Sequence, residues 1–181
     1  MTVITQPFTG TFVADQDHSS FQFEVTHMVV SKFRASFDDV TARVVADESG
    51  VQLEGSVQVA SVAIRNQQFR EHVVNGADFF DGPNHPEITF RSGDVQLTED
   101  GTFSGEGELT IRGITKRIVA TGTYQEPVED PYGMTRTAIE LNATVDRRDW
   151  GLNWQAPLPN GREALGYDVR LSAHIELVKE A

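Results

Sequence analysis

The 181-residue sequence predicts an all-β chain with one short helix. Three observations carry that reading. Apolar and polar residues alternate with a period of two in runs that recur from Phe21 to Leu177, the pattern of strands with one buried face. Turn-forming clusters, Asp47-Glu48-Ser49-Gly50 and Thr98-Glu99-Asp100-Gly101, stand between consecutive runs where hairpins would reverse the chain. Only residues 66–75 space their apolar side chains for a helix.

Taken in order, Phe21, Phe23, Val25 and His27 form the inward face of a first strand. Val40, Ala42, Val44 and Ala46 pair across the first turn with Val51, Leu53, Gly55, Val57 and Val59 as a hairpin. In the helical window, Phe69, Val73 and Val74 supply one buried stripe and Gly76 a C-terminal stop. A second hairpin carries Ile88, Phe90, Val95 and Leu97 on one arm and Phe103, Gly105, Gly107, Leu109 and Ile111 on the other. Its two glycines on the apolar face predict a bend, a bulge or room left for another group. Arg112-Gly113 turns the chain into a strand over 114–124. Ile139, Leu141, Ala143 and Val145, then Val169, Leu171, Ala173, Ile175 and Leu177, mark the late strands. Eight or nine such antiparallel strands close into a barrel or stack as two sheets, and alternation does not choose between them. A barrel of about eight has an interior just wide enough for packed side chains or one slender ligand.

The length suits one domain, 1–181, with no repeat and no linker. Twenty-seven acidic against 15 basic residues give a net charge of -12, so nucleic acid and anionic membrane surfaces are expected to be poor partners. The absence of cysteine excludes disulfides and thiol chemistry. The first ten residues lack a secretory signal's basic start and apolar core, so the expected compartment is the cytoplasm. No apolar stretch reaches the length of a membrane span.

Candidate chemistry is sparse. The five histidines, at 18, 27, 72, 85 and 174, include no pair at the three- or four-residue spacing of two metal ligands on one helix face, so no metal site is expected. His27 reads either as a core histidine with one hydrogen bond or as a polar group at a cavity mouth. Asp15, Asp17, His18 and Ser19 are too close in sequence to converge as a triad and read as turn and capping residues. Arg147, Arg148, Trp150 and Trp154 suggest a turn rim in which a cation stacks on an indole. Phosphate-binding glycine loops are absent. In Ala77-Asp78-Phe79-Phe80-Asp81, two adjacent rings lie between carboxylates and ahead of Gly82-Pro83. Large apolar rings in such a loop need a buried receiver.

Four segments stand in order along the chain: Asp15-x-x-His18-Ser19-x-Phe21-x-Phe23-x-Val25-x-His27, Ala77-Asp78-Phe79-Phe80-Asp81, Pro86-x-Ile88-Thr89-Phe90 and Leu109-Thr110-Ile111-Arg112-Gly113-Ile114-Thr115-Lys116. With Asp146-Arg147-x-Asp149-Trp150-Gly151, they resemble the YceI-like family of polyisoprenoid-binding proteins over about residues 8–178. The resemblance implies an extended, eight-stranded, lipocalin-like antiparallel barrel whose lumen holds a long isoprenoid chain, with no catalytic residues. Trp150 stands where the family has Phe. Arg70 and Glu71 fit the family's Arg-Asp-x-His-Leu run, whereas Val73 takes the histidine's place and His72 comes one step early.

The expected function is therefore non-enzymatic binding, storage or transport of a polyprenyl lipid or isoprenoid quinone. Phe21, Phe23, Val25, Phe79, Phe80, Phe90, Leu109, Ile111, Ile139, Leu141 and Leu171 would grip the tail, with the head near His27, Arg70 or Trp150. No cofactor is expected beyond that bound lipid or quinone as ligand. An isoprenoid lipid is the expected partner, a homodimer is left open, and neither nucleic acid nor stable membrane insertion is expected. Two alternatives stand beside it: an enzyme using His27 and a nearby carboxylate on a lipid-like substrate, and a filled barrel with a structural or interaction role.

Overall fold

A computed structural model describes residues 6–181. Its strands are β1 (Gly10–Ala14), β2 (Ser20–His27), β3 (Ser31–Phe37), β4 (Val40–Asp47), β5 (Gly50–Gln58), β6 (Glu87–Leu97), β7 (Thr102–Ile111), β8 (Ile114–Tyr124), β9 (Val128–Glu129), β10 (Thr135–Asp146) and β11 (Leu165–Lys179). All neighbours are antiparallel, in the order β3-β2-β11-β1-β4-β5-β6-β7-β8-β10-β9. An unbroken β10–β11 ladder from Arg136↔Val178 to Asp146↔Asp168 closes the sheet on itself. The ring is thus an eight-stranded barrel of β1, β4, β5, β6, β7, β8, β10 and β11. Alternation in the sequence becomes alternation in burial: Val40, Ala42, Val44 and Ala46 are buried while Thr41, Arg43 and Asp47 face solvent.

The β2–β3 hairpin leaves this ring. β11 pairs with β1 only at residues 177–179 and with β2 from Leu165 to His174. Between the two strands, a short 3-10 turn over Gln16–His18 steps the chain sideways, with Asp15 accepting the Asp17 N–H at 3.0 Å. As a strand β3 pairs with β2 alone; beyond it lies an isolated backbone bridge, Phe37↔Val62, and side-chain packing of Phe33 and Phe37. The barrel therefore keeps sheet edges at β3 and β9, and β3 carries Lys32 and Arg34 on its exposed positions, the charges that discourage edge pairing.

Both expected hairpins form, whereas β1 and β3 were not anticipated, although Phe33, Ala35 and Phe37 alternate as clearly as the rest. The register of β6 slips between Ser92 and Val95, opposite Gly105 and Gly107. The place a side chain at Gly107 would occupy is taken by the Phe90 ring. Helix α1 covers Gln67–Asn75, capped by the Asn66 side chain accepting from the Phe69 N–H at 2.9 Å. Val73 and Val74 are buried as expected, but Phe69 is 39% exposed, so the stripe is narrower than its spacing implied. Gly76 does end the helix, in extended backbone.

The interior divides lengthwise. At one end of the barrel, Phe8, Phe12, Val44, Leu53, Phe103, Tyr124, Ile139 and Leu177 pack into a solid core, with Phe8 edge-on to Phe12 at 5.3 Å and the Tyr124 hydroxyl donating to Thr98 O at 2.6 Å. The other end, where β2, β3 and α1 lie, is built differently. Among the described residues no helix is long and apolar enough to cross a membrane.

Candidate functional site

Where β2 and β3 splay from the ring, the interior holds a cavity of about 250 Å³. Phe21, Phe23 and Val25 of β2, Phe33 and Phe37 of β3, Ile88, Ile111, Val145, Val169 and Leu171 make its apolar wall. A second chamber of about 90 Å³ lies deeper, walled by Phe90, Leu109, Leu141 and Ala143. Phe21, Ile88 and Leu171 belong to both walls, so the chambers follow one another along the barrel. Past Leu141 the core around Ile139 and Phe103 shuts the passage. The lumen is open at one end and blind at the other.

Three segments far apart in sequence frame the mouth, and Arg112 laces them together. Arg112 and Gly113 take φ 52° and 70°, the left-handed pair of a tight two-residue hairpin. From there the guanidinium donates to Ala77 O at 2.8 Å and to Gly151 O, joining the β7–β8 turn to the 77–81 loop and the 147–151 turn. The receiver of the two adjacent rings is now visible. Phe80 points inward, edge-on to Phe37 at 5.7 Å and to Phe23 at 6.2 Å. Phe79 stacks on Trp154 at the rim, centroids 5.7 Å apart. Trp150 is buried and donates its indole N–H to Leu109 O at 3.1 Å, filling the junction beneath Arg112.

The inner chamber's polar lining residues are Thr41, Ser56, Thr89 and Asn142, whereas charged and imidazole side chains line only the mouth chamber. His27 is exposed there, as the cavity-mouth reading had it, and among the described residues no carboxylate lies within 4.0 Å of its ring. The acid-base pair imagined for it is not assembled. His72 hydrogen bonds with Asp78 at 3.0 Å and sets its ring edge-on to Phe79 at 5.1 Å. Arg147 is only 5% exposed and donates to the carbonyls of Gly166 at 2.7 Å, Leu165 at 3.2 Å and Leu152. Burial holds its pKa below the usual arginine value. Arg147 and Arg148 stack on Tyr167, at 4.9 and 4.0 Å, instead of on the tryptophans expected from the sequence. Arg148 also chelates Asp146, whose pKa that ion pair lowers to about 2.

Two expected site residues lie elsewhere. Arg70 faces the chain leading into its own helix, donating to Val62 O at 3.0 Å and to Ala60 O, and it lines neither chamber. Its helix position places it over that connection, opposite the mouth-facing His72. Ile139 is buried in the solid half. Phe21, Phe23, Val25, His27, Phe79, Phe80, Ile111, Trp150 and Leu171 line the outer chamber, and Phe90, Leu109 and Leu141 the inner one. Sequence reasoning missed Phe33 and Phe37, whose alternation was available, and His72, Trp154 and Leu165, which reach the mouth only through tertiary packing.

The Asp15 to Ser19 segment is the turn anticipated, and it anchors an ion network on the outer wall. Arg136 donates to Asp15 and Glu176 at 2.8 Å each and to Asp130 at 2.7 Å, while His18 approaches Asp15 at 3.1 Å. Hydrogen bonds from Arg136 hold the carboxyls of Asp15 and Asp130 below their usual range, and Asp15 raises the pKa of His18. Asp15, His18 and Glu176 come within the spacing of a metal trio, but the guanidinium already bridges both carboxylates and supplies the countercharge.

Comparison with known proteins places this geometry. The UPF0312 protein SA2479 of Staphylococcus aureus strain N315 is 30% identical over 172 residues, covering 91% of this chain and 95% of its own. The structure of BcnA from Burkholderia cenocepacia superposes with a TM-score of 0.74 at 16% identity, over 90% of this chain and 98% of that one. A polyisoprenoid binding domain from Saccharophagus degradans superposes with a TM-score of 0.70 at 10% identity, over 93% and 98%. The model of the YceI-like domain matches residues 12–177, nearly the whole barrel, and the chain belongs to the YceI-like family.

Proposed function

We propose that this protein binds an amphipathic isoprenoid lipid without transforming it, holding the tail in the two chambers and the head at the mouth, and so stores or carries it. The observation that carries the reading is the blind, apolar, two-chambered cavity in one half of an otherwise solid barrel. The family and the likeness to a domain described as polyisoprenoid binding support it. His27, His72 and Asp78 are the mouth groups in reach of a head, replacing Arg70 in that role.

Cavity size sharpens the ligand. The chambers together are a little over twice the ~150 Å³ cavity that accommodates benzene, room for about two isoprene units. Each five-carbon unit is worth about 4 kcal/mol of apolar transfer at ~0.8 per methylene. Two units give about 8, nominally micromolar, before the cost of ordering a flexible tail. A longer tail either trails from the mouth or displaces the core around Ile139.

Native mass spectrometry of protein purified from its own cells is expected to show a lipid adduct, and fluorescence titration to show saturable binding of farnesol. Apo mass alone, with no farnesol binding, would sink the reading.

A further inference from the structure

We propose that the mouth end of the barrel is a docking surface for a phospholipid bilayer, against which the β2–β3 turn inserts. The inference rests on the lipid-binding reading above and names where the ligand is exchanged.

The turn between β2 and β3 is Met28-Val29-Val30, and it is apolar where hairpin turns are ordinarily polar. Val30 is 85% exposed and Met28 is also exposed. Met28 and Val29 hold φ 51° and 66°, a left-handed conformation that is costly for a β-branched valine and that no glycine relieves. The Met28 N–H donates to Ala164 O at 2.6 Å, fixing the tip over the loop that borders the cavity. Around the same opening stand exposed Phe69, packed edge-on to Phe33 at 5.5 Å, exposed Ile114, and the Phe79–Trp154 stack. Apolar groups thus encircle the entrance through which a tail would pass, where a bilayer could receive them at no cost in exposed surface.

Charge is arranged to permit this approach despite the net -12. Lys32, Arg65, Arg112, Lys116, Arg148 and Arg162 lie on elements at the mouth end, balanced there by Glu71, Asp78, Asp81, Asp146, Asp149 and Glu163. Turns at the blind end carry Asp47, Glu48, Glu99, Asp100, Glu126 and Glu129. β11 alone runs 15 residues between the two ends, about 50 Å at ~3.3 Å per residue. That is several Debye lengths of about 8 Å at physiological ionic strength, so a bilayer at the mouth meets the mixed charges of the rim and not the distant acidic turns. The blind end offers an internal contrast. Tyr132 is 86% exposed in the Asp130–Met134 turn, but Glu126 and Glu129 lie on the segment leading into it, and a membrane would have to desolvate them.

Flotation with vesicles of 70% phosphatidylcholine and 30% phosphatidylglycerol in 0.15 M salt tests the assignment. The wild-type chain should float, Val30→Asp should reduce the bound fraction about tenfold, and Tyr132→Asp should leave it unchanged. Wild-type protein that stays at the bottom of the gradient, Val30→Asp that floats like wild type, or Tyr132→Asp that loses as much, would each overturn it. Farnesol titration without vesicles keeps the two readings apart. If wild type and Val30→Asp bind farnesol alike while neither floats, docking fails and the cavity reading stands. If neither binds farnesol, the cavity reading is what has failed.

Discussion

The two halves of this barrel share strands yet have opposite interiors. β10 and β11 run through both, with the same in-out alternation, but one half is solid and the other hollow. In the solid half, Phe8 lies between Phe12 of β1 at 5.3 Å and Tyr124 of β8 at 6.0 Å, with Phe103 buried in the same cluster. In the hollow half the β2–β3 hairpin leaves the ring, so the wall widens and its phenylalanines pack on one another along the wall: Phe21 on Phe37 at 6.0 Å, Phe23 on Phe33 at 5.9 Å. Rings that plug one end upholster the other. The difference shows that lumen volume is set by where strands leave the ring and not by how many large residues face inward.

The sharpest way to break this comparison is to truncate one ring in each half. Phe103→Ala in the solid half should cost about 3–5 kcal/mol in urea unfolding, since it opens a void where every neighbour is already packed. Phe23→Ala, beside an existing cavity and partly exposed, should cost clearly less while weakening farnesol binding about tenfold. Equal losses of stability would mean that the halves do not differ.

Filling the hollow half is the complementary test. Ala143→Phe projects a ring into the inner chamber and should reduce farnesol affinity at least tenfold, at a stability change within the ~1–3 kcal/mol of overpacking. Full binding by this variant would show that the tail never enters the deeper chamber.

Arg112→Met removes the donors that tie the 77–81 loop and the 147–151 turn to the β7–β8 hairpin. An expected loss of about 2 kcal/mol should appear together with faster amide exchange at Phe79 and Phe80, while Phe103 in the solid half keeps its protection. Unchanged exchange at the loop would assign its order to the Phe80 contacts alone.

The smallest effect concerns pH and the outer wall of the solid half. Asp15 and Asp130 have depressed pKa values, so the stability they contribute is complete above about pH 3.8 and is lost as pH falls through their lowered values. His18 is the opposite case. Its raised pKa means a contribution complete below about pH 6.5 and lost as pH rises through the raised value. Thermal unfolding should therefore show a shallow fall in Tm above neutrality that His18→Gln abolishes, and an acid fall that Arg136→Gln diminishes. A His18→Gln profile identical to wild type would remove His18 from the network.

Much of this was legible in the residues. Alternation located most of the strands, and the turn at Arg112-Gly113, a helix within 66–75 and the need of Phe79 and Phe80 for a receiver followed from local chemistry. The β3 strand is equally legible, since Phe33, Ala35 and Phe37 alternate with polar residues. The site was readable only in part, and Ile139 and Leu141 show why. They stand two residues apart on the same inward face of β10, yet one is sealed in the core and the other walls a chamber. Arg70 and His72 make the same point on α1, where one turns to backbone carbonyls and the other to the mouth.

By itself, then, the sequence determined which face of each strand is apolar and where the chain reverses, because period, turn residues and capping are properties of neighbours along the chain. The tertiary structure alone decided which inward side chains meet across the lumen and which face an opening. That depends on the sideways step that moves β11 from β1 to β2, pairings that join residues more than a hundred positions apart, and on the β10–β11 ladder that closes the ring. Space inside a barrel is a relation between opposite walls, and no single strand encodes it.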